Sequence, residues 1–237
     1  MATYDEVMDE LRAAGTAQNV KIYRRHGVTG DLFGVSYATL NALKKRLKTD
    51  HDLATALWAS GNHDARVLAT LIADPARAAP DELEAWRAGA DNPVEITALT
   101  RNVAGRRKPP PWELVERWTA SDEEWTATAG WDLLAVLAVT DTAHDDAYYA
   151  ARLAEIEARL PGSANRVRYE MNNALIAIGG RNPALAAAAT AAAGRIGPVE
   201  VDHGETGCKT PEAGAYIARI WARKGRAAGP PGLSRCG

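Results

Sequence analysis

Apolar side chains in this chain return every three or four residues in short runs, and each run is cut by Pro, Gly, Asn or Asp before the next begins. That period belongs to the α-helix, whose neighbours along one face lie three and four apart, whereas the faces of a strand alternate residue by residue. Asp50-His51-Asp52 caps a run carrying Leu53, Leu57 and Trp58. Ser60-Gly61-Asn62 breaks it, and a second run carries Val67, Leu68, Leu71 and Ile72 up to Asp74-Pro75. Two such helices, each with one apolar stripe, can pack as a hairpin. Pro80-Asp81 opens a helix with Leu83 and Trp86, and Asn92-Pro93 opens another with Ile96, Leu99 and Val103. About 60 residues after the first pair the arrangement returns, as Leu114 to Trp118, a break at Thr119-Ala120-Ser121, and Trp125 through Leu137. Helices are further expected from His144 to Leu160, Ser163 to Ile178 and Asn182 to Arg195, with Thr210-Pro211-Glu212 opening a last one through Tyr216, Ile217, Ile220 and Trp221. Helix pairs recurring in this way predict an all-α solenoid of antiparallel pairs, each unit burying its stripe against its neighbours.

Composition agrees with that reading. Ala fills 48 of the 237 positions and Phe one, a balance that favours helix over sheet. The length suits a single domain, expected over residues 1–226 with a flexible tail over 227–237. No apolar run approaches the roughly 20 residues that span a bilayer, and the acidic N-terminus lacks signal-peptide order. Two cysteines, Cys208 and Cys236, are too few for a disulfide framework, so the default expectation is a reducing cytoplasm. The net charge of −2 conceals a gradient: residues 51–150 carry 8 basic and 17 acidic side chains, residues 151–237 carry 12 and 7. A chain of this charge can hold DNA only if its cations are gathered on one face. The clusters Lys44-Lys45-Arg46 and Arg223-Lys224 read first as solvated helix surface, and the five tryptophans at 58, 86, 118, 125 and 131 as packing anchors.

Several segments together resemble the AlkD-like DNA alkylation repair family. They are Phe33-Gly34-Val35 with Leu40 and Leu43, Leu53-Ala54-x2-Leu57-Trp58 with Arg66, Leu114-x3-Trp118-x2-Ser121-x3-Trp125, and Val167-Arg168-x5-Ala174-Leu175. The resemblance implies HEAT-like helical repeats whose concave, basic surface holds duplex DNA, with Arg106, Arg107, Lys108, Arg166, Arg168 and Lys209 as candidate DNA contacts. It also implies excision of cationic alkylated purines by two Trp, one Asp and one Arg around the lesion, the carboxylate facing the charge that develops on the sugar. At the matching positions this chain has Pro93 and Asn173 for the two Trp, Thr97 for the Asp and Thr128 for the Arg. Glu95 and Asp132 are the nearest carboxylates that can replace the missing one. Asn172 and Asn173 are candidate inner-face amides, able to read a base edge or to bond helix ends.

The segment 197–211 stands apart from the repeats, gathering Asp202, His203, Glu205, Cys208 and Lys209 among glycines. Three chemistries are open to it. It can bind metal, although the paired ligand spacings of a four-coordinate site are missing. It can present an activated thiol at Cys208. It can cradle a phosphate on backbone amides and Lys209. The plain alternative is a turn in which Asp202, Glu205 and Thr210 cap local backbone while His203 packs on a neighbouring helix.

The sequence thus predicts a monomeric, cofactor-free DNA-binding protein of the alkylation repair type, with no resident metal and no membrane association. It is either a binder of duplex or damaged DNA or an alkylpurine DNA glycosylase with relocated catalytic groups. The alternatives are a helical scaffold for a protein or other ligand, and a metal- or thiol-dependent enzyme built on the 202–209 loop.

Overall fold

The computed structural model describes residues 2–227, so the expected tail over 227–237 falls outside the described residues except for Ala227, which closes the last helix. Thirteen α-helices follow one another: α1 (Tyr4–Ala14), α2 (Ala17–Arg25), α3 (Tyr37–Leu47), α4 (His51–Ala59), α5 (His63–Ile72), α6 (Pro80–Gly89), α7 (Pro93–Asn102), α8 (Trp112–Thr119), α9 (Glu124–Ala138), α10 (Asp146–Arg159), α11 (Asn165–Gly179), α12 (Pro183–Ile196) and α13 (Ala213–Ala227). Among the described residues there is no strand. The breaks fall where the chain offers caps. Thr3, Thr16, Ser36, Asp50, Asn62, Asn92, Asp145 and Asn182 each accept a backbone N–H of the first turn, and Pro80, Pro93 and Pro183 open helices where an N–H has no partner to lose.

From α4 onward the helices form the expected pairs, α4 with α5, α8 with α9, α10 with α11, and α6 against α7. The second members pack in one row, α3 on α5, α5 on α7, α7 on α9 and α9 on α11, and this inner row is extended by α13 on α11. The first members make the outer row. One apolar core runs between the rows, with Trp118 and Trp131 wholly buried and Trp58 stacked on Trp86 at 4.7 Å between ring centres. The tryptophans are anchors of the core, as their spacing suggested. Gly130 lets α9 press against α8: a Cβ there would stand 2.4 Å from the Thr119 nitrogen.

Each pair is riveted to the next by polar side chains roughly one repeat apart. On the outer row His51 and Thr55 meet Glu82, Trp118 Nε1 donates to Glu84 at 2.8 Å, Tyr148 donates to Glu116 at 2.7 Å and Arg195 donates to Glu157. The inner row carries buried acids. Asp64, fully buried, accepts backbone N–H bonds from Phe33 (2.6 Å), Gly34 (3.0 Å) and Val35 (2.8 Å), docking the segment between α2 and α3. Gly34 has a φ of +81°, which only glycine takes without strain, and a Cβ there would meet the Thr16 carbonyl at 2.5 Å.

The last helix differs from expectation. It begins at Ala213, two residues later than the start expected from Thr210 as N-cap and Pro211 in the first turn, and Glu212 caps it by accepting from the Gly214 and Ala215 nitrogens. Thr210 and Pro211 are committed elsewhere: the Thr210 hydroxyl meets His203 Nε2 at 3.0 Å and the Pro211 carbonyl accepts from Asn172 at 3.0 Å.

Replacing Asp64 by Ala strands three amides at a buried joint and is expected to cost about 3 kcal/mol, read as a lower urea midpoint. Removing the exposed Asp52 partner of Arg77 in the same assay is expected to leave the midpoint in place.

Candidate nucleic-acid interface

Two hollows open on the inner row. The first, about 390 Å³, is bounded by Pro93, Thr97, Arg101 and Asn102 of α7, by Arg166 and Tyr169 of α11, by Tyr37 of α3, by His26, and by His203, Thr206 and Cys208 of the connector. The second, about 730 Å³, is lined by Arg106, Asp132, Asn173 and Tyr216 together with Arg101 and Tyr169, which border both.

The connector, residues 197–212, is what closes the first hollow. Inner-row helices elsewhere follow their partners after short turns, whereas α13 follows α12 only after this long crossing. Its path is fixed by α11: Asn165 bonds the backbone of Asp202 in both directions at 2.8 Å, and the His203 ring stands edge-on to Tyr169 at 5.4 Å. Further along, Gly204 passes the Arg25 carbonyl closely enough that a Cβ would lie 3.5 Å from it. Asp202 accepts from the Gly204 nitrogen, as the plain alternative expects, but the other side chain that bonds local backbone is Thr206, on the His203 carbonyl, and Thr210 bonds the His203 ring instead. Glu205 is exposed, and no group of three or more His, Cys, Asp or Glu able to hold a metal occurs among the described residues. Burial, followed by the charge of Arg166, pulls the His203 pKa down against the opposing Asp202 carboxylate, which favours the neutral ring. Cys208 is exposed at the rim of the hollow, beside an exposed Lys209.

The two candidate carboxylates fare differently. Glu95 is buried between pairs, meeting His63 Nδ1 at 2.9 Å and accepting from Arg66 at 3.1 Å, and it borders neither hollow. It is a rivet, since its neighbours Val94 and Ala98 turn toward the hollow in its place. Asp132 reaches the second hollow from α9, where it accepts from Thr100 and, at 2.8 Å, from Arg101. Burial alone would lower the Arg101 pKa, but the Asp132 carboxylate outweighs it and raises the value. Thr97 and Thr128 were the positions matched to the Asp and Arg of alkylation repair enzymes. Arg101 and Asp132 stand four residues beyond each, so the same two helices carry a guanidinium–carboxylate pair with its signs exchanged. Thr128 itself is buried, its hydroxyl spent on the Glu124 carbonyl.

The basic candidates do not all face this surface. Arg106 and Arg166 border the hollows, and Lys108 and Lys209 are exposed. Arg107 is turned to the Ala78 carbonyl at 2.6 Å, and Arg168 is partly buried and borders neither hollow. Asn172 holds the connector through Pro211, while Asn173 lies in the second hollow and donates to Glu170 at 2.8 Å. Arg101, Tyr37, His26 and Tyr169 had no place in the sequence reading. Arg101 was within reach of it, one turn beyond Thr97 on the same face of α7. Tyr37 and His26 were not, because only the winding of the repeats brings them opposite α11.

Glu170 is the acid of the α9–α11 joint. Its burial and then the nearby Asp132 carboxylate push its pKa from 4.5 up to about 8, against the opposing bond from Asn173. A carboxyl held protonated by the fold stabilises fully below its unfolded pKa, and that contribution is lost as pH rises through the folded value. Wild-type stability is therefore expected to decline between roughly pH 5 and pH 8 in urea titrations. Glu170→Gln is expected to flatten that decline.

The chain matches the family of DNA alkylation repair enzymes over residues 7–217. Two relatives, the uncharacterized proteins Lin0241 of Listeria innocua and Lmo0209 of Listeria monocytogenes, are each 28% identical over 224 residues, spanning 92% of this chain and 97% of theirs. A solved structure from "a new family of proteins related to the HEAT-like repeat DNA glycosylases with affinity for branched DNA structures" is similar with a TM-score of 0.83, at 25% identity over 94% of this chain and 95% of its own. The match across most of the length, with the paired helices and the structural similarity, places this chain in the DNA alkylation repair enzyme family, on a HEAT-like repeat fold.

Proposed function

We propose that this protein binds DNA on the face of α7, α9 and α11, preferring branched over linear duplex, and that it does so without excising a base. The observation that carries the reading is the exchange at the four positions matched to the excision residues. Pro93, Thr97, Thr128 and Asn173 supply no aromatic face, carboxylate or guanidinium, while the same surface keeps Arg101, Arg106 and Arg166. Cations gathered on one face of a chain with a slight net negative charge are what phosphate binding requires. The affinity for branched DNA of the structurally similar family supports the choice of target. Lys108 and Lys209, both exposed, extend the cationic contact, and the protein acts as a monomer.

A second reading has one specific observation in its favour. Asp132 is the carboxylate of the second hollow, held by Arg101, and a carboxylate at that depth can stabilise positive charge developing on a deoxyribose. On that reading the protein is an alkylpurine DNA glycosylase whose acid has moved to α9.

Two assays run side by side separate them. Four-way-junction DNA is expected to bind more tightly than linear duplex of equal length, with log K falling steeply with log salt. Arg106→Gln and Arg166→Gln are each expected to weaken binding several-fold and to reduce the salt slope by about one. Methylated duplex is expected to release no alkylpurine. Release that disappears in Asp132→Asn with DNA binding intact would establish the second reading instead.

A further inference from the structure

The first hollow has a composition that plain backbone binding does not need. Its bounding side chains include two guanidiniums, Arg101 and Arg166, and no Asp or Glu, although α7 and the connector belong to chain segments rich in acids. Its permanent positive charge sits on those two arginines. Arg166 makes no described ion pair, and Arg101 is half exposed despite its bond to Asp132. Around them stand the rings of Tyr37 and Tyr169 and the apolar surfaces of Val67, Pro93 and Val94. A flat duplex backbone offers phosphates and sugars and has no use for aromatic walls. Cations beside aromatic and apolar surface suit a planar base attached to a phosphate. At about 390 Å³ the space lies near the lower end of the roughly 300–1,000 Å³ of small-molecule sites, enough for one nucleotide and too little for two stacked ones.

We infer that this hollow receives a single unpaired nucleotide of a bound DNA strand, its phosphate held by Arg101 and Arg166 and its base set against Tyr37 and Tyr169. The inference rests on the proposed DNA-binding reading and adds to it the feature by which a branch is told from a continuous duplex. Every base of a linear duplex is paired and stacked, whereas a branch point frees a nucleotide at little cost in stacking. The connector is part of the site. His203, Thr206 and Cys208 form its wall opposite α7, so the crossing between α12 and α13 gives an otherwise open face a closed end.

Cys208 reports occupancy. In a Cys236→Ser background it is the single thiol, and its alkylation by iodoacetamide can be followed with paired linear duplex, with the same duplex carrying one unpaired nucleotide, and with free deoxyadenosine monophosphate. The unpaired-nucleotide duplex is expected to slow alkylation at least fivefold and to bind about tenfold more tightly than the paired duplex. In Tyr37→Ala, a change at an exposed first-turn position of α3, that ratio is expected to fall to near one. Equal affinity for the two duplexes in the wild type, with Cys208 unprotected by either, would overturn the inference and leave the DNA-binding reading standing. Protection by the free nucleotide but not by the unpaired-nucleotide duplex would overturn it in favour of a soluble nucleotide as ligand. Absence of binding to any DNA, junctions included, would remove the DNA-binding reading and this inference with it.

Discussion

Burying a carboxylate is costly unless donors converge on it, and this chain buries one at each joint of its inner row. Asp64 takes three backbone amides from the segment before α3, Glu95 takes His63 and Arg66 of α5, and Asp132 takes Thr100 and Arg101 of α7. In each case the acid belongs to one repeat and the donors to the repeat before it. The joint is satisfied only when the two pairs sit in a single register, so apolar stripes that could slide by a turn are denied that freedom. At the last joint Glu170 has the Asn173 amide for a hydrogen-bond partner and no described salt bridge, and the fold accommodates it by keeping the proton on. The row of acids sets the angle between repeats, and with it the spacing of the hollows.

The fold was legible because its signal is local. A cap, a three-and-four stripe and a breaker can each be read inside a dozen residues, and the helices from Asp50 to Arg195 fall where those marks put them. The start of α13 was misread for the opposite reason. Thr210 and Pro211 look like an N-cap and a first turn, but partners 7 and 39 residues away claim them. The surface was legible only in part. Arg106 and Arg166 face the hollows as their charge suggested, whereas Arg107 is spent on a backbone carbonyl that charge counting cannot see. Glu95 was singled out because it stands two residues from the matched position, Thr97, in sequence. On a helix, residues two apart point about 200° apart, and that rotation carries it into the joint and away from the groove.

Chemistry in this family depends on a few side chains carried by helices whose backbone is set by other demands. The exchange between α7 and α9 illustrates how little the scaffold resists such change. Here Arg101 on α7 meets Asp132 on α9, one turn beyond the positions that the resemblance matches to a carboxylate and a guanidinium, and α7 packs on α9 around the pair. The field above the groove is then that of an arginine at the mouth of a small cationic space.

The connector between α12 and α13 has a mechanical consequence. It is fastened to α11 by Asn165 and Asn172, and at Gly204 it passes close to the carbonyl of Arg25 without bonding it, so it brings the two ends of the inner row near one another. A solenoid bonded only between neighbours behaves like a spring, and its curvature can open by small equal shifts at every joint. A crossing anchored at one end and merely close at the other limits that motion in one direction only. Closing the arc presses the connector onto the Arg25 carbonyl at Gly204, whereas opening it draws the two apart and breaks no bond between them.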